Sequence, residues 1–95
     1  MFADWLHSVY AQIEANPTTN AGLICPECQQ EAIDFQYIGD PHTRMASLQI
    51  WCTACYQGVH LARVHAPQQA QLLDFDTPPA LLLKRIPRYQ VLSAN

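Results

Sequence analysis

Three observations predict a small α+β domain in this 95-residue chain: an apolar stripe at helical spacing near the start, three short runs of strand character, and two C-x-x-C brackets flanking the first two runs. The expected arrangement is an N-terminal amphipathic helix on a three-stranded antiparallel sheet, followed by a C-terminal extension. This length suits one domain, with the helix over 1–16, the strands and brackets over 23–66 and the extension over 67–95. Domains of this size bury little apolar surface, and a staple usually supplements the core.

The helix is read from Phe2, Leu6, Val9, Tyr10 and Ile13, which fall at i, i+4, i+7, i+8 and i+11 on one face. Asp4 favours its first turn, and Asn16-Pro17 ends it because proline disfavours helical geometry in the residue before it. His7 and Gln12 lie off the apolar face, and residues 17–22 form a polar linker. Ile33 to Tyr37 alternates as a first strand, apolar on its odd positions. Gly39-Asp40-Pro41-His42 makes a turn. Met45 to Trp51 forms a second strand, with Leu48 and Ile50 on one side and Met45 and Trp51 on the other. Gly58 to Val64 forms a third, stopped by Pro67. In the extension, Leu72 to Phe75 is a short strand or helix end, Ala80 to Ile86 holds one or two helical turns after Pro78-Pro79, and Tyr89 to Leu92 is an edge strand or an arm.

The brackets are Cys25-Pro26-Glu27-Cys28 and Cys52-Thr53-Ala54-Cys55, and the chain has no other cysteine. Two intervening residues let the backbone make a tight turn that aims both sulfurs of a pair at one point, and Pro26 helps by fixing φ. Two such pairs supply four thiolates, a donor set suited to one tetrahedral zinc ion. Iron accepts the same donors. Two disulfides would need an oxidising compartment, and Met1 to Trp5 lacks the basic start and apolar run of a secretory signal. A thioredoxin-like redox site uses one such bracket in a βαβ setting. Zinc held by Cys25, Cys28, Cys52 and Cys55 is therefore the expected state, in a reducing, cytoplasmic setting. No apolar run approaches the length of a membrane span, so no membrane association is expected.

A strand out, a turn and a strand back account for the 23 residues between Cys28 and Cys52, so the metal would close the base of a hairpin. With those four cysteines in the ligand places, the chain resembles the zinc ribbon (zinc β-ribbon) family over about residues 23–66. The resemblance implies a rigid, metal-stapled antiparallel ribbon. It departs at Gln29 and Tyr56, which follow the second cysteine of each pair where many ribbons carry glycine. More loosely, the stretch from Tyr37 to Arg44, Ile50-Trp51-Cys52 and Ile86-Pro87-Arg88-Tyr89 are similar to small bacterial zinc-ribbon proteins of immunity or accessory type.

Four cysteinates leave a zinc ion no open position for substrate, so an enzyme is not expected and no residue is assigned a catalytic role. His42, His60 and His65 read as ordinary side chains, since the thiolates already suffice, and Asp40 to Arg44 reads as turn chemistry rather than a catalytic finger. The net charge of −3 argues against nonspecific nucleic-acid binding. Charge is nevertheless lopsided: residues 1–43 carry six acids and neither Lys nor Arg, whereas Arg44, Arg63, Lys84, Arg85 and Arg88 all follow. Those five cations define the alternative of a nucleic-acid-binding or transcription-associated ribbon, in which Phe35, Tyr37, Trp51 and Tyr56 would stack on bases if exposed; the reading ranked first has these rings cover the zinc and supply the core. The expectation ranked first is a non-enzymatic protein–protein interaction module, with Leu81 to Leu92 as either contact surface or core. A second alternative is an accessory subunit of an enzyme.

Overall fold

The computed structural model describes residues 2–15 and 22–91, without the side chains of Phe2 and Ala3. The expected helix stop at Asn16-Pro17, most of the 17–22 linker and the end of the Tyr89–Leu92 arm lie outside the described residues. Helix α1 spans Phe2–Ala15. Strands β1 (Ile33–Gly39), β2 (Met45–Cys52) and β3 (Gln57–His65) form the expected antiparallel meander. The expectation of three strands needs correction, because β4 (Leu72–Leu73) pairs parallel to β1 and β5 (Gln90–Val91) pairs parallel to β3. The result is a mixed five-stranded sheet in the order β4-β1-β2-β3-β5. The cause lies in the extension, which leaves one sheet edge, crosses a face through helix α2 (Pro79–Arg85) and ends on the opposite edge.

The sheet is thus covered on both sides. On one face Ile33, Phe35 and Tyr37 of β1, Leu48 and Ile50 of β2 and Val59 of β3 form a core with Trp5, Val9 and Ile13 of α1. Those three helical residues stand at i, i+4 and i+8, and none is more than 1% exposed. The buried stripe is therefore rotated from the expected one: Trp5 is central to it, whereas Leu6 and Tyr10 are half-buried at its margin. On the other face Ile38 and Trp51 pack with Ile86, and Leu73, Leu82 and Tyr89 gather around them. This double burial explains why β1 is enclosed at almost every position instead of alternating with solvent.

The extension is held as a strap by polar contacts as well as apolar ones. Arg85 pairs with Asp34 through Nη1–Oδ2 at 2.7 Å and Nη2–Oδ1 at 3.0 Å. It also donates to Gln36 Oε1 at 3.0 Å and to the Phe35 carbonyl at 2.9 Å, and its guanidinium lies 5.3 Å from the Trp51 ring centre. Tyr89 stacks on Trp51, 6.2 Å between ring centres and 14° from parallel, and its hydroxyl donates to Gln49 Oε1 at 2.9 Å. Gly58 makes room for that ring: a Cβ there would stand 2.7 and 2.8 Å from Cδ2 and Cε2 of Tyr89.

Candidate metal centre

Both brackets fold into the same turn. The amide of Gln29 donates to the Cys25 carbonyl at 2.8 Å, and that of Tyr56 donates to the Cys52 carbonyl at 2.9 Å. Gln29 (φ 61°) and Tyr56 (φ 56°) occupy the left-handed region. The conformation that glycine adopts freely is thus kept by bulkier residues, at a cost of about 1–2 kcal/mol each. Cys25 leads into the first turn just before β1, and Cys52 ends β2 opposite Ile33, so the paired strands bring the turns together. Thr53 ties them further, its amide donating to the Ala32 carbonyl at 2.7 Å and its hydroxyl to the same oxygen at 3.0 Å.

The sulfurs of Cys25, Cys28, Cys52 and Cys55 all lie within 4.8 Å of one another. Between the turns, Cys25 and Cys55 stand 3.9 Å apart and Cys28 and Cys52 3.6 Å, and all four cysteines are free thiols. A tetrahedral ion with metal–sulfur bonds near 2.3 Å sets its ligands roughly 3.8 Å apart. The cluster therefore fits a metal ion, with a modest closing of its longer edges. Cys25 and Cys52 are fully buried, and Cys28 and Cys55 are half-buried at the rim.

The thiols differ in how readily they ionise. Burial resists ionisation of Cys25, but the amides of Cys28 and Glu27 and the indole of Trp5 outweigh it and bring the thiol down to about 7. Cys55 is pushed up to about 12, chiefly by burial and then by the neighbouring sulfurs of Cys52 and Cys25. Four sulfurs this close ionise together only around a cation. The Cys52 sulfur meets the amides of Ala54 and Cys55, both at 3.4 Å, which suits a thiolate acceptor.

Among the described residues, that sulfur cluster contains cysteines alone. His42 is exposed at the β1–β2 turn, and His60 and His65 are exposed on β3. Asp40 spends its carboxylate on its own turn, accepting from the His42 amide at 2.8 Å, a bond that with that of Thr43 holds its pKa below the usual value. Arg44 turns back to donate to the carbonyls of Pro67 at 2.6 Å and Ala70 at 2.7 Å. With Arg85 also engaged internally, Arg63 and Arg88 remain exposed together with Lys84. Phe35, Tyr37 and Trp51 are buried, leaving Tyr56 the exposed ring of the four stacking candidates.

Two residues near the centre escape a reading based on apolar stripes alone. Gln12 of α1 pairs with the backbone of Ile24, accepting from its amide at 2.9 Å and donating to its carbonyl at 3.1 Å. Trp5 is fully buried in the core that contains Cys25, and its signal was the i, i+4, i+8 spacing with Val9 and Ile13. No family model, curated protein or solved structure matches the chain. The fold and the site define a small α+β domain whose four clustered cysteines form a possible metal centre.

Proposed function

We propose that this chain is a non-enzymatic protein–protein interaction module of adaptor or immunity type, stapled by one structural zinc ion at Cys25, Cys28, Cys52 and Cys55. Zinc is favoured by four soft thiolate donors within 4.8 Å of one another, a set that would fill the coordination shell and leave no position for substrate. The observation that carries the interaction reading is the outer surface of the strap. Leu81 is 53% and Leu83 71% exposed, beside a groove of about 390 Å³ lined by Ile38, Leu82, Leu83, Ile86 and Arg88. Arg88, exposed, lines the groove, so the surface suits an apolar segment flanked by an acidic residue. The strap divides its work: Ile86 and Leu82 face the core, while Leu81 and Leu83 face outward.

We rank the nucleic-acid alternative second, since Arg44 and Arg85 of its five cations make internal contacts. The deciding experiment compares the metal-loaded chain with Leu83→Asp, a substitution at an exposed site expected to leave the melting temperature unchanged. A host protein captured by the original chain, lost by the variant and forming a binary complex once purified supports the reading. A captured protein indifferent to Leu83→Asp, or binding only to nucleic acid, overturns it.

A further inference from the structure

We propose that Trp5 belongs to the metal site as a positioning residue, its indole N–H donating a hydrogen bond to the Cys25 thiolate when a cation is bound. The indole nitrogen is enclosed and has no hydrogen-bond partner of proper geometry, although the side chain is only 1% exposed. A buried N–H left unmade costs about 1–3 kcal/mol, and native interiors rarely tolerate one without a reason. The reason here is the Cys25 sulfur, the thiol that this indole favours in its ionised form. Cys25 is fully buried in the same core cluster, and a neutral thiol is a weak acceptor whereas a metal-bound thiolate is a strong one.

The rest of α1 fixes this aim. Gln12 lies two helical turns after Trp5 on the same side and grips both backbone groups of Ile24, the residue immediately before Cys25. The helix is thereby held against the first cysteine turn at two points, one through backbone and one through sulfur. Cys52 receives its donors from the amides of Ala54 and Cys55 within its own turn, so the helix supplies to one bracket a donor that comes from no bracket residue. Groups that hydrogen-bond metal ligands typically alter metal affinity 10- to 100-fold when removed.

This inference rests on the metal reading, and the experiment separates the two. The chain is labelled with nitrogen-15 and loaded with cadmium-113, and both indole protons are followed by NMR. The expected result is scalar coupling between cadmium and the Trp5 indole proton, with slow solvent exchange, and no coupling at Trp51. Trp5→Phe, which keeps an aromatic ring but removes the N–H, is expected to weaken zinc binding about tenfold or more in competition with a chromophoric chelator. Cadmium bound by four cysteines without coupling at Trp5, or unchanged zinc affinity in Trp5→Phe, overturns the role of Trp5 while leaving the metal centre intact. Failure to bind either ion overturns both. If Trp5→Phe does not fold, the coupling in the unaltered chain decides.

Discussion

Arg85 reaches across 51 positions of sequence to grip Asp34 with both arms of its guanidinium, at 2.7 and 3.0 Å. The same guanidinium satisfies Gln36 and the Phe35 carbonyl and lies over Trp51, so one side chain joins strap, strand and core. Arg85 is 37% and Asp34 16% exposed, a partly shielded setting in which a forked pair retains much of its strength. Lysine cannot reproduce the fork. Arg85→Lys is expected to lower stability by about 1–2 kcal/mol, measured by denaturant unfolding of the metal-loaded chain. Combined with Asp34→Asn, the losses should be less than additive, and additive losses would show that the two residues are not coupled.

Gly58→Ala should disturb the strap from beneath. The added methyl would meet the Tyr89 ring at 2.7 and 2.8 Å and also crowd the Ile50 carbonyl, so the strand or the ring must shift. The expected cost is about 1–3 kcal/mol, with a weaker near-ultraviolet dichroism as Tyr89 leaves Trp51. An unchanged denaturation midpoint would refute the packing argument.

Metal removal should act on the whole fold. One zinc per chain with Zn–S near ~2.3 Å is expected by metal analysis and X-ray absorption. Cys52→Ser, or a strong chelator, should abolish the cooperative melting transition, because metal binding and folding are linked. Acid should do the same by protonating the thiolates. Iron in the purified protein would overturn the zinc assignment, and a chelated chain that melts unchanged would overturn the structural role.

Alkaline instability should appear between pH 10 and 12. Tyr37 is pushed up to about 12, chiefly by burial and then by the neighbouring Tyr10 and Glu14, whereas an unfolded tyrosine titrates near 10. Between these values the folded chain holds a proton that the unfolded chain has released. Its contribution is therefore complete below pH 10 and is lost as pH rises through 12. Tyr37→Phe should flatten the stability profile over that window, leaving a smaller slope from Tyr89 and Tyr10, whose pKa values are also raised, chiefly by burial. An identical slope in Tyr37→Phe would exclude Tyr37 as the cause.

Periodicity made much of this architecture legible. The 3.6-residue spacing in α1, the alternation at Ile33 to Tyr37 and the matched cysteine brackets each carry a local signal, and the elements formed where those signals stand. The edge strands were legible only as one of two options each, Leu72 to Phe75 as a short strand or helix end and Tyr89 to Leu92 as an edge strand or an arm, because two residues hold no alternation. Gln90–Val91 is placed by Gly58 and Tyr89, and Leu72–Leu73 by pairing with Tyr37 and Ile38. Trp5 had a helical spacing but was missed because the stripe was centred on Leu6 and Tyr10. The left-handed residues Gln29, Arg44, Tyr56 and Arg63 were hidden for another reason: glycine usually announces that conformation, and none of them is glycine. At Gln29 and Tyr56, the place after the second cysteine was the only cue.

The β2–β3 register shifts between Ala46 and Leu48, and this irregularity has a consequence for association in crowded solution. Strand β5 shields the outer rim of β3 at Gln57 and Gly58 alone. Further along, Ala46 pairs with Val64 and Leu48 with Leu61, so Ala62 and Arg63 together oppose Ser47. Arg63 (φ 58°) therefore breaks the repeat and sets a charge on a stretch of rim that an incoming strand would otherwise template upon. Straightening that irregularity, by deleting one of the two residues, would give a smoother ladder and also open the molecule to fibril-like stacking.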